Sequence, residues 1–118
     1  MEQQMYPLAS RELAQKRKEL APDALAAFRA FSETVFADGA LPSKTKELIA
    51  VAVAHVTQCP YCIRGHTLAA LRKGASQKEI MEAIWVATEM RAGGAYAHSN
   101  LALETMDRFE KSAPVQQT

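Results

Sequence analysis

Residues 48–56 read LIAVAVAHV, and the fold turns on whether this run is a strand or a helix. Its alternation has the period of a strand. Its filling is alanine-rich, however, and the preceding SKTKE (residues 43–47), placed just after Pro42, opens a helix far better than a strand. Helix is the expectation, and the surrounding punctuation agrees with it. Pro7, Pro22 and Pro42 stand near the starts of periodic segments, where proline is tolerated. Gly39 and Gly74 follow such segments, as helix-ending glycines do. Ser76 and Glu79 form an S-x-x-E capping box. The expected helices cover about 9–20, 22–37, 43–57, 60–73, 76–91 and 94–110, with a polar tail from Ser112. Gly93–Gly94 is expected to break a helix or mark a close-packing point. It is not a phosphate loop, because no strand or Lys-Ser/Thr accompanies it. The fold class is therefore all-α, a bundle of about six helices, in one domain spanning 1–118 with its core at about 20–105.

Composition limits function. Of the 118 residues, 48% are hydrophobic and 23% charged, as in an ordinary globular chain rather than a disordered one. A net charge of +1, with both signs interleaved, offers no electrostatic case for nucleic acid or an anionic membrane. No apolar run approaches the roughly 18 residues that suggest a membrane span. The opening MEQQMYPLASRELAQ lacks the basic and apolar regions of a secretory signal. Two cysteines cannot build a disulfide framework, so a reducing, cytoplasmic compartment is expected.

The helix expected from residue 76 carries more apolar surface than one core stripe needs. Ile80, Ala83, Ile84 and Ala87 share one face, and Met81 and Trp85 lie on an adjoining one. Burial on two sides within the chain would explain this, and so would a subunit interface. Met90 and Met106 read as core filling.

Residues 59–66, CPYCIRGH, carry the chemistry. On a helix, positions 59, 62 and 66 share one face. Cys59 falls at the first turn, before Pro60, where unpaired backbone N–H groups and the helix dipole favour a thiolate. His66 lies one turn beyond Cys62. A low-pKa thiol, a second thiol to resolve a sulfenic acid and a nearby base are the parts of a redox centre. Zinc is the alternative on the same sulfurs, with Glu47 or His55 as a fourth ligand, but no second CxxC or HxxxH completes a set. Inert burial is the third reading. The redox reading is the strongest, and it calls for no cofactor and no metal. If the chain turns back at Gln58–Pro60, Glu47 approaches His66 and could relay its protons. Spacing alone favours the plainer reading, a solvated first-turn glutamate that complements the helix dipole. His55 could line the site, cap carbonyls or pack in an interface, and His98, near Tyr96, reads as structural.

The run KTKELIAVAVAHVTQCPYCIRGHTLAALRKGASQKEIMEAIWVA, residues 44–87, resembles the core of the alkylhydroperoxidase D-like branch of the carboxymuconolactone decarboxylase family. The resemblance rests on the E-x11-C-x2-C-x3-H spacing, the K-G-A turn and the S-x-x-E-I helix start. It implies an all-helical fold assembled as homotrimers or homohexamers. It also implies reduction of hydroperoxides, or exchange with a disulfide substrate, through Cys59 and Cys62, with a dihydrolipoamide-linked or other thiol reductant. His66 and Glu47 then form the proton relay, Cys62 is the peroxide-reactive thiol and Cys59 resolves it. A positioned base, worth roughly 10²–10⁴ in rate, supports that order over the helix dipole at Cys59, worth about 0.3–1 kcal/mol. Tyr61 stands where some family peroxidases carry a histidine. Family lactone decarboxylases generally lack the cysteine pair.

Overall fold

The computed structural model describes residues 5–116, with side-chain burial through Ser112. The elements are α1 (Arg11–Leu20), α2 (Pro22–Phe36), α3 (Ser43–Thr57), α4 (Pro60–Arg72) and α5 (Gln77–Gln116). Among the described residues there is no strand. The run LIAVAVAHV is helical, and both of its faces have a use. Val51 and Ala54 are buried, while Ile49 and Val53 look out on the opposite side of α3.

Local chemistry sets the boundaries. Pro42 cannot cap α3 with its side chain, and Asp38 Oδ1 does so instead, accepting the Ser43 N–H at 2.7 Å. Gln58 ends α3 in the left-handed region at φ 58°, and Pro60 starts α4 at once. Gly74, at φ 94°, performs the turn after α4 that a side chain would strain. The capping box is reciprocal: Glu79 N–H donates to Ser76 Oγ at 3.0 Å, and Ser76 N–H donates to Glu79 Oε1 at 2.8 Å.

Two expectations change here. The last two expected helices are one 40-residue helix, and the expected polar tail continues it to Gln116. Neither Gly93 nor Gly94 takes a positive φ. A pair of glycines costs a helix interior roughly 1 kcal/mol each, and the long flanking segments carry it.

α3 and α4 form an antiparallel hairpin, and α5 runs parallel to α3. Lys44 pairs with Glu79 at 3.0 Å near the starts of α3 and α5, and Arg91 donates to the Val56 carbonyl at 3.0 Å near the end of α3. The core lies between these helices: Val51, Ala70, Ala75 and Ile80, with Leu48 and Ile84 against it. It is small. Met90 and Met106, expected as core filling, are both exposed: Met90 lines an open hollow beside Val56 near the end of α3, and Met106 lies about four turns further along α5. Trp85 is 65% exposed. The chain is correspondingly long, 69 × 37 × 35 Å.

Candidate active site

The α3–α4 turn brings the CxxC stretch together. Cys59 is the N-cap of α4, and its Sγ accepts the Cys62 N–H at 3.3 Å. The two sulfurs stand 2.6 Å apart and share one thiol hydrogen bond, which a charged Cys59 sulfur would accept from Cys62. Both thiols are free and half-buried. These two hydrogen bonds stabilise a charged Cys59 sulfur, with the Cys62 thiol as the larger cause, and the Cys59 pKa falls below the ordinary thiol value. Donating that hydrogen bond, followed by partial burial, raises the Cys62 thiol above it. Of the two sulfurs, Cys59 is the one on which negative charge is favoured, and Cys62 the one that holds its proton more firmly.

Glu47 and His66 also meet. The antiparallel hairpin sets the start of α3 beside the middle of α4, and His66 Nδ1 lies 2.7 Å from Glu47 Oε1. Glu47 is only 6% exposed, so it is not the solvated first-turn glutamate that the spacing allowed. An ionised carboxylate can only accept, so His66 Nδ1–H donates to it, leaving Nε2 able to take or give a proton. Phe36, the last residue of α2, stacks on the imidazole at 5.0 Å and 23°. No pattern in the sequence pointed to Phe36, since α2 reaches α4 only through the tertiary fold.

Cys62 and His66 open onto a groove of about 390 Å³ walled by Val35, Phe36, Ile49, Val53 and Thr57, with Lys46 in the same wall. Cys59 does not line it. Tyr61 turns elsewhere: its hydroxyl donates to the Pro7 carbonyl at 2.7 Å, and its ring meets Tyr6 edge-on at 5.9 Å. The remaining histidines lie outside the groove. His55 Nδ1–H donates to the Val51 carbonyl and His98 Nδ1–H to the Gly94 carbonyl, each at 2.7 Å along its own helix. Among the described residues, no three His, Cys, Asp or Glu side chains converge into a metal-holding group, and no helix is long and apolar enough to cross a membrane.

The chain has relatives among known proteins. Residues 22–105 match the carboxymuconolactone decarboxylase family. A Paracoccus denitrificans protein, uncharacterized protein 4 in the cox locus, is 66% identical over 84 residues, covering 71% of this chain and 76% of its own. The crystal structure of an apo carboxymuconolactone decarboxylase family protein from Legionella pneumophila superposes with a TM-score of 0.63 at 37% identity, over 83% of this chain and 87% of that one. A Thermotoga maritima protein of the family, for which involvement in an antioxidative response has been suggested, superposes with a TM-score of 0.55 at 27% identity, over 77% of this chain and 94% of that one.

Proposed function

Because the chain belongs to the carboxymuconolactone decarboxylase family, the match covering residues 22–105, we propose that it is a thiol-dependent peroxidase working through Cys59 and Cys62. The observation that carries this reading is the joint opening of Cys62 and His66 onto one apolar groove, with buried Glu47 behind the imidazole. Cys62 is the attacking thiol, because a hydroperoxide in the groove meets its sulfur and not that of Cys59. Its proton leaves to His66 Nε2, the ring nitrogen that Glu47 does not hold. The Cys62 thiolate then takes the terminal peroxide oxygen: an S–O bond forms, the O–O bond breaks, and the departing alkoxide is protonated by His66 to the alcohol. Cys59 attacks the resulting sulfenic acid, an S–S bond forms and water leaves. The two electrons come from the dithiol, and an external dithiol reductant, such as a dihydrolipoamide-linked carrier, restores it.

A second reading has an observation of its own. The depressed Cys59 pKa suits attack on a disulfide substrate, since the thiolate is the nucleophile in exchange. One experiment separates the two. Reduced protein is mixed with hydroperoxide or with a small disulfide in stopped flow, and the product is weighed for an intramolecular disulfide. Rapid oxidation by hydroperoxide supports the peroxidase. Oxidation only by the disulfide supports exchange, and oxidation by neither would remove both. The proposal includes a homotrimer or homohexamer, supported by the exposed apolar surface of α5.

A further inference from the structure

The groove holds one charged group for which the thiol chemistry has no use. Lys46 stands in the wall with Val35, Ile49 and Val53, half-buried. Its ammonium donates one hydrogen bond to the Ala37 carbonyl at 2.6 Å, and an ammonium carries three donors. Among the described residues, no carboxylate pairs with it. The ion pairs are Lys44–Glu79, His66–Glu47, Arg108–Glu104 and Lys111–Asp107. The adjacent Glu47 is directed to His66. Asp38, in the preceding loop, is directed to the Ser43 N–H. Lys46 is thus a cation with donors to spare beside a low-polarity surface, where attraction for an anion is stronger than in water.

The rest of the wall asks for the opposite chemistry. Val35, Ile49 and Val53 are large apolar side chains left exposed by the core. An alkyl chain lying on them would gain roughly 25 cal/mol for each Å² removed from water. Along α3, Lys46 and Val53 are about 10 Å apart at 1.5 Å per residue, so the cation stands at one end of the apolar strip. His66 is level with Glu47, at the Lys46 end, and Cys62 is one helical turn further along.

We propose that this groove binds an amphipathic organic anion, a carboxylate bearing an alkyl chain. Lys46 holds the acid group, and Val35, Ile49 and Val53 carry the chain. Resting on the peroxidase reading, the preferred oxidant is then a hydroperoxide of such an acid. Cys62 removes its terminal oxygen, and it leaves as the hydroxy acid after one protonation.

Two measurements test this with reduced protein, wild type, Lys46→Gln and Lys46→Arg. In the first, octanoate and octan-1-ol are titrated calorimetrically. Octanoate should bind about tenfold more tightly than the alcohol, the preference should vanish in Lys46→Gln and return in Lys46→Arg, and salt should weaken it. In the second, kcat/KM is compared for a medium-chain hydroperoxy acid and its methyl ester. The acid-to-ester ratio should be about ten, arise in KM, and fall toward one in Lys46→Gln. A lysine that only tethers Ala37 would change both substrates alike and leave the ratio where it was, which overturns the assignment. Equal octanoate and octanol binding, with thiols still oxidised by peroxide, overturns it while sparing the peroxidase reading. Selective octanoate binding with thiols inert to both hydroperoxides upholds Lys46 and removes the peroxidase.

Discussion

At the scale of single residues, the two sulfurs have unequal tasks, and their protons report it. With Cys59 below the ordinary thiol range and Cys62 above it, alkylation followed by mass analysis should show Cys59 reacting with the lower pH midpoint. Under limiting peroxide and a sulfenate trap, Cys59→Ser should accumulate sulfenic acid on Cys62, whereas Cys62→Ser should react slowly. The opposite pattern would mean that the sulfur with the lowered pKa, rather than the thiol facing the groove, performs the attack. Linkage fixes the pH dependence of stability. A lowered Cys59 pKa stabilises the reduced fold above the unfolded thiol pKa, and that gain is lost as pH falls through the folded value. A raised Cys62 pKa stabilises it below the unfolded pKa, and that gain is lost as pH rises through the folded value. Reduced-state stability should therefore peak near the ordinary thiol pKa, and oxidation should abolish the peak in denaturant titrations. His66→Ala leaves Glu47 buried without its partner, and should cost about 3 kcal/mol by urea unfolding at neutral pH. Much of this site was legible because it is local: helical spacing puts Cys62 and His66 on one groove, the helix start holds Cys59 against Cys62, and one hairpin brings Glu47 across. Phe36 and Lys46 were not, because their places in the groove depend on how α2 and the 37–42 loop lie against α3.

Among the elements, α5 departs furthest from expectation. Glycine pairs end helices when the chain must turn, and here nothing obliges it to. A Cβ built at Gly94 would meet nothing within 4 Å, and one at Gly93 would meet only the flexible Glu89 side chain, at 3.3 Å. The sequence carries the helical cost of the two glycines but not the absence of a turn, so the break was a reasonable reading that continuous backbone bonding overrides. If the chain stood alone, Gly94→Ala should stabilise it by about 1 kcal/mol. A loss of assembly in that variant, read by size-exclusion chromatography, would instead mark Gly94 as the point of close approach to another copy. The start of α5 was fully legible, since a capping box is short-range chemistry. Its Glu79 pKa is lowered, first by the Ser76 N–H and then by Lys44. The cap thus stabilises α5 above the unfolded carboxylate pKa and loses that contribution as pH falls through the folded value. Ser76→Ala should lower stability by about 1 kcal/mol near neutral pH, seen in thermal unfolding.

For the whole molecule, shape argues for company. A compact chain of this length has a radius of gyration of about 13–14 Å, against 21.8 Å here. Trp85, Tyr96, Leu103 and Phe109 have little of this chain to rest on. Light scattering at micromolar concentration should return a multiple of the 12.9 kDa chain mass, and a monomer mass would remove the assembly. Its thermal midpoint should rise with protein concentration, and Trp85→Asp should lower it. The hairpin that carries the chemistry has another consequence, one that concerns the order of synthesis. Every group of the site, from Val35 to His66, precedes α5 in the chain, so a ribosome delivers both sulfurs before the helix that backs α3 exists. The nascent chain meets oxidants with its thiols already present. Within these 118 residues, however, two cysteines allow only one pairing, and early oxidation finds no wrong partner among them.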